Sequence, residues 1–254
     1  YKMAYDSGIR GFMLNSNDRA SEICNYFRDH TEEFPDIQWY PSLPYPHKYA
    51  NLVAEKGIIK SINEVILQGS NTKEILGFFK KSGSALLSKD AIKLMQMLLD
   101  IELKAFKGLK VNTVFLLNII TDLILGYDSE EIFAAYCGYI REKYSATPGF
   151  ITMNLPKLLY FLKRCEIEDV VICSSINKLG YLMSPGKIEY ENVIKENSNN
   201  KYQLMAMSIL ASGAIQPKEA ISYIGEQNID SIVFGASSSV HIKDTVNLIN
   251  QHNN

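Results

Sequence analysis

The sequence has few of the residues that build disulfide frameworks and metal sites. Its 254 residues include four cysteines, four histidines and one tryptophan. The cysteines lie far apart without a CxxC pair, which excludes a disulfide-rich scaffold and a CxxC zinc or redox motif. No secretion signal accompanies them, so we expect a reduced, cytoplasmic protein.

Metal-binding and membrane-spanning patterns are also missing. We predict no metal site, because none of the histidines has HExxH or paired spacing: His30, His47, His241 and His252. Apolar runs break off well before the roughly 18 residues that a membrane helix needs. The net charge of -2 and the pI near 6.1 argue against nucleic acid or an anionic membrane as the main partner.

What is present is the composition of an ordinary globular protein. Hydrophobic residues make up 46% and charged residues 21%, and residues 1–254 suit one large α/β domain. Seven short, almost continuously apolar segments recur, as expected for parallel strands that are buried on both faces. These predicted strands are residues 8–16, 36–44, 111–118, 149–154, 169–175, 204–209 and 231–236.

Helical patterns separate the predicted strands. One starts within residues 15–18 and runs to about His30, and the others cover residues 128–143, 156–164, 217–226 and 240–251. Asp128 and Glu131 are spaced as a variant of the capping box. The alternation predicts a (β/α)8 TIM barrel whose first strand lies upstream of Tyr1.

Residues 50–108 interrupt this alternation between the third and fourth strands of the predicted barrel. The interval is too long for one crossover helix and has helical patterns at residues 50–66, 73–81 and 89–106. Two interpretations stay open: a structural embellishment, or a lid that closes a pocket and expels water. The hinges of such a lid would be Gly69, Gly77 and Gly83.

The loops after the last two predicted strands have the composition of a phosphate site. In a TIM barrel these loops commonly bind phosphate. Small residues let backbone N–H groups approach an anion, and a helix N-terminus adds partial positive charge. Gly213 and Gly235 lie in the two loops. We therefore predict a small-molecule ligand with a phosphate group near these glycines.

Several motifs resemble the aldo-keto reductase superfamily. MSILASG is similar to the family's Ser-x-Leu loop, FGASSSVHIKDTV is similar to its Gly-Ala-Ser-Ser loop, and the stretch from TVFLLN to VVICSSIN follows its order of elements. The resemblance covers most of residues 8–249 and implies NADP or another phosphate-bearing ligand. The cofactor-binding residues that it implies are Asn154, Ser208, Leu210, Gly213, Gly235, Ser237, Ser238 and His241.

The same resemblance shows a difference at the catalytic positions. The family uses an Asp, a Tyr, a Lys and a His at the ends of the second to fourth strands. The Asp position falls on Leu14 or Asn15, the Lys position near Ser42 and the His position on Asn118. No Tyr follows at the expected distance. Ordinary carbonyl reduction would therefore lack its proton donor.

Other polar residues near the predicted strand ends supply candidate catalytic groups. The segment YPSLPYPHKYAN carries His47, a candidate general base, and Lys48, a candidate acid or anion-binding group. Asn118 ends the next strand, and Lys178 would form a Schiff base if it were desolvated. Non-catalytic explanations also exist. His47 and Lys48 would then belong to a loop stiffened by prolines, and Lys178 would be solvated or paired with a phosphate.

Two classes of function stay open. The first is an enzyme that acts on a phosphorylated or nucleotide-bearing small molecule. Its chemistry would be that of a lyase or isomerase, or NAD(P)-dependent redox chemistry with a replaced proton donor. The second is a degenerate barrel that binds a ligand or partner without turnover. The glycine loops and a lid favour an enzyme, and the absent tetrad favours the non-redox branch or the second class.

Overall fold

A computed structural model describes residues 1–17, 19–45, 88–197 and 201–252. The predicted helical patterns at residues 50–66 and 73–81, and the three hinge glycines between or after them, lie outside these ranges. His47 and Lys48 also lie outside the described residues. Their catalytic roles and the lid therefore stay predictions.

Seven parallel strands form one curved sheet, and each strand pairs with the next one along the chain. They are β1 (Gly11–Asn15), β2 (Gln38–Leu43), β3 (Thr113–Leu116), β4 (Thr147–Thr152), β5 (Val171–Ser175), β6 (Gln203–Met207) and β7 (Ser231–Ile232). All seven predicted strands and the TIM-barrel-like architecture are confirmed. The eighth strand, expected before Tyr1, stays a prediction.

Helices follow most strands and cover the outer face of the sheet. They are α1 (Lys2–Asp6), α2 (Ala20–Asp29), α3 (Ser88–Leu103), α4 (Asn118–Tyr127), α5 (Glu130–Tyr144), α6 (Leu155–Arg164), α7 (Lys187–Glu196), α8 (Pro217–Gly225) and α9 (Ser239–His252). The first and last of them, α1 and α9, pack against each other. The helical layer therefore brings the two edge strands of the sheet to the same side of the molecule.

The sheet is buried on both faces, which explains the continuous apolar pattern of its strands. Inside the curve, one apolar cluster is formed by Phe115, Ile151, Val171 and Cys173. Outside, a larger cluster joins the strands to the helices, and its largest members include Trp39, Phe133, Tyr136, Phe150 and Phe161. Burying a large apolar side chain contributes roughly 1.5–3 kcal/mol, so both faces hold the sheet in place.

Gly149 shows how closely the inner face is packed. It lies on β4 opposite Phe115 of β3. A methyl group in its place would lie 2.6 Å from Cδ1 of Phe115 and 2.7 Å from Cγ2 of Thr113. Both distances are shorter than van der Waals contact, so the position requires glycine.

Two helices escaped the sequence prediction for different reasons. Helix α4 follows β3 directly, and its sequence NIITDLILGY is so apolar that its pattern merges with that of the strand. Helix α7 has the opposite composition, because its sequence KIEYENVIKE buries only Tyr190 and Ile194. The helical period is hard to recognise in both, because apolar residues crowd α4 and only two side chains of α7 are buried.

The predicted capping box at the start of α5 is wrong. The N-cap of this helix is Ser129, and no side chain caps it. Asp128 instead ends α4 in a left-handed conformation with φ of 56°. Its carboxylate accepts a hydrogen bond of 2.6 Å from Nη2 of Arg164. Asp128 therefore joins α4 to α6 and does not initiate α5.

Helix α3 and a 3₁₀ turn over Lys104–Phe106 match the last helical pattern of the predicted insertion. The helix packs against α5 and β2. It therefore occupies the place of the crossover helix that connects β2 to β3.

Candidate ligand site at the barrel mouth

The carboxyl ends of the strands form a mouth whose inner layer contains uncharged side chains. Ser42 pairs with Phe115 of the inner cluster, and Asn15 pairs with Ser42, so both belong to the inner face. Ser175 and Met207 pair at the ends of β5 and β6. The two serines are buried, and the other two residues are half-buried. These four strand ends therefore offer amide, hydroxyl and thioether groups.

The positions that the resemblance assigns to the catalytic tetrad lie at this mouth. Leu14 packs into the outer apolar cluster, so Asn15 is the mouth residue at the end of β1. Ser42 occupies the matching place on β2, and half-buried Asn118 begins α4 directly after β3. None of these side chains is ionisable near neutral pH. The three strand ends can therefore position a ligand through hydrogen bonds, but they do not exchange protons with it.

The loop after β6 has an uncommon backbone conformation. Positive φ angles of 55°, 45°, 57° and 91° occur at Ser208, Ala211, Ser212 and Gly213. Each non-glycine residue in this region costs roughly 1–2 kcal/mol, and such residues cluster at ligand sites. Consecutive backbone N–H groups in such turns can bind anions, but here those of Ala211 and Gly213 donate to the carbonyls of Ser208 and Leu210 at 2.9 Å each. A Cβ atom at exposed Gly213 would meet no atom within 4 Å, so the backbone there is open to a ligand.

The loop after β7 leads into α9 and is also open. A Cβ atom at exposed Gly235 would have no neighbour within 4 Å. Ser237 is exposed, and Oγ of Ser238 accepts a hydrogen bond of 3.2 Å from the N–H of His241. His241 lies exposed on the first turn of the helix. Helix N-termini of this kind favour anions through their N–H groups and the helix dipole.

Hydrogen bonds hold the loops after β5 and β6 together. Oγ of Ser212 donates to the hydroxyl group of Tyr181 over 3.0 Å. Asn177 is fully buried, and its side chain donates to the carbonyl of Tyr181 at 2.8 Å and accepts from its N–H at 2.9 Å. These contacts fix the left-handed loop to the neighbouring strand end.

Asn154 follows β4, and its side chain caps α6. Its Oδ1 accepts a hydrogen bond of 3.1 Å from the N–H of Lys157. The N–H of Asn154 donates to Oγ1 of Thr152 at 2.9 Å, and Thr152 donates to Asp122 at 2.5 Å. The N–H of Met153 binds the same carboxylate at 3.0 Å. The end of β4 is thus held in place, whereas cofactor binding by Asn154 stays a prediction.

The Asp122 carboxyl group lies behind β4, on the outer side of the sheet. Burial raises the pKa of Asp122 above its ordinary value, and the hydrogen bonds from Thr152 and Met153 oppose the rise. Because Thr152 points away from the inner cluster, the carboxyl group serves the strand end and does not face the mouth.

Lys178 follows β5 and forms an ion pair at the surface. Its Nζ lies 2.7 Å from Oε1 of Glu219, and the two side chains are 52% and 50% exposed. The hydrogen bond to Glu219 raises the pKa of Lys178 above its ordinary value. A Schiff base needs the unprotonated amine, so this ion pair works against the predicted catalytic role.

A buried carboxylate lies between the loops that follow β1 and β2. Glu102 of α3 is only 2% exposed. Its Oε2 accepts a hydrogen bond of 2.5 Å from Oγ of Ser16, and its two oxygens lie 3.2 and 3.0 Å from the N–H of Tyr45. Among the buried residues that the structure describes, Glu102 is the one with a charged side chain. It therefore ties the start of both loops to α3.

The sequence contains a signal for the buried position of Glu102, which no motif in it marks as functional. Leu99 and Phe106 lie three residues before and four residues after it, and both are buried. Helical spacing places Glu102 on the same face as these two residues. A carboxylate on an apolar helical face must find polar partners when it is buried.

The cysteines provide no nucleophile, and all four are free thiols. Burial raises the pKa of Cys24 to about 11 and that of Cys137 and Cys173 to about 12. Cys173 belongs to the inner apolar cluster. Within the described ranges, no three His, Cys, Asp or Glu side chains are grouped to hold a metal ion. No helix in this part of the chain is long and apolar enough to cross a membrane.

Comparison with solved structures identifies the fold. A protein from Pseudomonas aeruginosa assigned to the aldo-keto reductases matches with a TM-score of 0.62, covering 100% of this chain and 79% of its own at 12% identity. The chain has the aldo-keto reductase fold. An aldo-keto reductase from Bacillus halodurans in its holo form gives a TM-score of 0.56, covering 98% and 78% at 12% identity.

The match to the aldo-keto reductase fold concerns the backbone. No protein-family model matches the sequence, and no curated protein matches it. An identity of 12% leaves few side chains in common, and a fold alone does not assign a reaction. The predicted resemblance is therefore confirmed at the level of the fold, with a divergent sequence.

The aldo-keto reductase fold places the described candidate residues at one end of the sheet. Asn118, Asn154 and Lys178 follow β3, β4 and β5. The other candidates follow β6 and β7, and they are Ser208, Leu210, Gly213, Gly235, Ser237, Ser238 and His241. Carboxyl ends of parallel strands meet at one edge, where barrel enzymes bind their ligands.

Proposed function

We propose that the barrel mouth binds a phosphate-bearing small molecule and that the protein is an enzyme acting on it there. The pair of open loops after β6 and β7 carries the proposal. Strand β7 is the neighbour of β6, so the left-handed loop and the loop that opens α9 leave the sheet side by side. Each has an open glycine at which an anion can approach the backbone. The N–H of Gly213 itself donates to the carbonyl of Leu210 at 2.9 Å, so the N–H groups that open α9 would be the main phosphate donors.

NADP is the phosphate-bearing ligand that the aldo-keto reductase fold implies, and the two loops suit its phosphate groups. The space beside Gly213 and Gly235 would be filled by any larger residue. Ser212, Ser237 and Ser238 add hydroxyl groups next to these glycines. When bound, NADP would supply hydride chemistry. The residues of this chain that the structure describes would bind and orient it.

The described strand ends favour a reaction other than ordinary carbonyl reduction. Asn15, Ser42 and Asn118 can orient a substrate but cannot donate a proton as an acid near neutral pH. Candidates for acid–base chemistry are His47 and Lys48. They follow Tyr45 by two and three residues in the sequence, and the N–H of Tyr45 donates to the Glu102 carboxylate. A lyase or isomerase reaction on a phosphorylated substrate is therefore our first choice.

Thermal unfolding in the presence of ligands tests the proposal. We would compare NADPH, NADH, inorganic pyrophosphate and a panel of sugar phosphates. A ligand at 100 times its Kd stabilises a protein by about 2.7 kcal/mol, which such a scan detects. Stabilisation by sugar phosphates alone supports the lyase or isomerase reaction. Stabilisation by NADPH, with NADPH oxidation in the presence of an aldehyde, supports redox chemistry with a replaced proton donor.

A pair of glycine variants shows where the ligand binds. Gly235→Val adds a side chain to the open space of the loop after β7, and Gly126→Val makes the same change in α4, where no atom lies within 4 Å either. We expect Gly235→Val to weaken binding at least tenfold and Gly126→Val to leave it unchanged. Equal affinities in both variants, or no stabilisation by any ligand of the panel, would contradict the proposal and favour a barrel without turnover.

A further inference from the structure

A cavity of about 620 Å³ lies on the outer side of the sheet, far along the chain from the loops after β6 and β7. It is enclosed by the ends of α3 and α5 and by the segment that leads into β3. We call it the flank cavity. Val114 lines it from the outer face of β3, and Val111 lines it just before the strand begins. It therefore opens near the amino end of β3, whereas the barrel mouth lies at the carboxyl ends.

The floor of the flank cavity is apolar. Leu109 and Val111 line it and are half-buried, so they present accessible apolar surface to it. Leu103, Phe106 and Val114 also line it and are buried. Sites for small organic ligands have volumes of roughly 300–1,000 Å³ and are lined mostly by such side chains. The floor therefore suits the apolar body of a small molecule.

The rim of the flank cavity is basic. Four lysines and one carboxylate line the cavity, which gives a local charge of 4 − 1 = +3: Lys104, Lys107, Lys110, Lys143 and Asp100. The whole chain has a formal net charge of -2, so positive charge is concentrated here. Lys107 and Lys110 are exposed at the rim. Such a concentration attracts anions by long-range electrostatics.

The single carboxylate of the rim is already neutralised. Lys143 Nζ lies 2.7 Å from Oδ2 of Asp100, and the hydroxyl groups of Tyr139 and Tyr144 donate to its Oδ1 at 2.5 Å each. Because these donors hold Asp100 on the α5 side, its charge offsets little of the attraction that the remaining lysines exert on an anion.

The basic segment itself is held firmly. Arg28 of α2 donates to the carbonyl of Ala105 at 2.7 Å and to that of Lys107 at 2.8 Å. Gly108 follows with φ of 82° and turns the chain toward β3. The backbone between α3 and β3 is thus fixed before any ligand binds, which lowers the entropic cost of binding.

We propose that the flank cavity binds a small amphiphilic anion, with an apolar body on the floor and a carboxylate, sulfonate or phosphate group between Lys107 and Lys110. This site is separate from the ligand site at the barrel mouth. An uncharged apolar molecule would not use the positive charges of Lys107 and Lys110. A bare inorganic anion would leave the floor in contact with water.

Titration with 1-anilinonaphthalene-8-sulfonate, which joins an aromatic body to a sulfonate, tests the proposal. The variant Lys107→Glu/Lys110→Glu reverses the charge of the rim. The control Lys163→Glu/Lys195→Glu makes the same change of charge at exposed positions on α6 and α7. We expect the rim variant to bind the probe at least tenfold more weakly, about 1.4 kcal/mol, and the control to bind it as the wild type does.

Competition separates the two parts of the ligand. We expect decyl phosphate to displace the probe from the wild type, inorganic phosphate to leave it bound, and added salt to weaken binding. Equal probe affinity in the wild type and the rim variant would overturn the proposal, as would equal weakening in the rim variant and the control. If inorganic phosphate displaced the probe as effectively as decyl phosphate, the site would bind anions without an apolar body. That result would overturn the proposal of an amphiphilic ligand. Matching urea unfolding midpoints show that the variants are folded.

Discussion

Near its end, helix α3 carries the carboxylates of Asp100 and Glu102, which lie two residues apart and face different regions of the molecule. Glu102 is buried toward the barrel mouth, where a serine hydroxyl group and a backbone N–H bind it. The Asp100 side chain is 32% exposed at the flank cavity and contacts Lys143. One helix thus contributes to both regions, with a buried carboxylate on one side and a partly exposed ion pair on the other.

The different surroundings of Glu102 and Asp100 show how each region stabilises a negative charge. At the mouth, water is excluded, so the carboxylate depends on a few hydrogen bonds that have no substitute. At the flank, both water and a lysine stabilise the carboxylate, so solvent partly compensates for the loss of one protein partner. We therefore expect the loss of the buried carboxylate of Glu102 to reduce the free energy of unfolding more than the loss of the Asp100 carboxylate.

The largest effect is expected from Glu102→Ala. The substitution leaves the hydroxyl group of Ser16 and the N–H of Tyr45 without this acceptor and opens a cavity, so the free energy of unfolding should fall by about 3 kcal/mol. Glu102→Gln keeps an oxygen for Tyr45 and should lose less than half as much. Urea unfolding of both variants measures the difference. An Ala variant as stable as the wild type would show that the contacts of Glu102 contribute nothing.

A smaller effect is expected from Asp100→Asn. Its hydrogen bonds involve a charged group but are partly exposed to solvent, so we expect a loss of about 1.5 kcal/mol after screening. Asp6→Asn, in the exposed pair with Lys2, is the control and should change little. If both variants unfold at the same urea concentration, the Asp100 cluster is not a stabilising unit.

The Asp100 comparison also predicts a pH dependence. Burial raises the pKa of Asp100, but the hydrogen bonds from Lys143, Tyr139 and Tyr144 outweigh it and hold the pKa below its ordinary value. A carboxyl group with a lowered pKa stabilises the fold above its unfolded pKa of about 3.9, and this contribution is lost as the pH falls through the folded value. The wild type and Asp100→Asn should therefore converge in stability in acid. A constant difference down to the acid limit would contradict the assignment.

The smallest effect is expected from Ser238→Ala at the mouth. The substitution removes the acceptor for the N–H of His241 at the start of α9 and should cost roughly 0.5–1 kcal/mol. Ser222→Ala, exposed in α8, is the control and should be neutral or slightly stabilising. Amide hydrogen exchange in the first turn of α9 reports the change directly. Unchanged exchange there would mean that Ser238 does not cap the helix.

Most of the sheet could be predicted from the sequence because each strand is short, apolar and buried on both faces. The prediction failed at α4 and α7, where the helical period was hidden by too many or too few apolar residues. It also failed at Asp128, whose spacing to Glu131 fits a capping box. The carboxylate instead binds Arg164, which is distant in the sequence, so local spacing gave the wrong partner.

The candidate site also has features that the sequence predicts and features that depend on the tertiary structure. The openness of the loops at Gly213 and Gly235 could be predicted because glycine has no side chain, whereas phosphate binding there stays a proposal. The run of left-handed residues at Ser208, Ala211 and Ser212 could not be predicted, because serine and alanine adopt that conformation only when the surrounding structure imposes it.

By itself the sequence determined the order of the strands and the positions of the glycine loops, both of which depend on residue type and local period. Only the tertiary structure decided that Glu102 is buried beside Ser16 and Tyr45, that Lys178 pairs with Glu219, and that the lysines before β3 surround an apolar cavity. These features join residues far apart in the chain, and their free energy depends on which groups the fold removes from water.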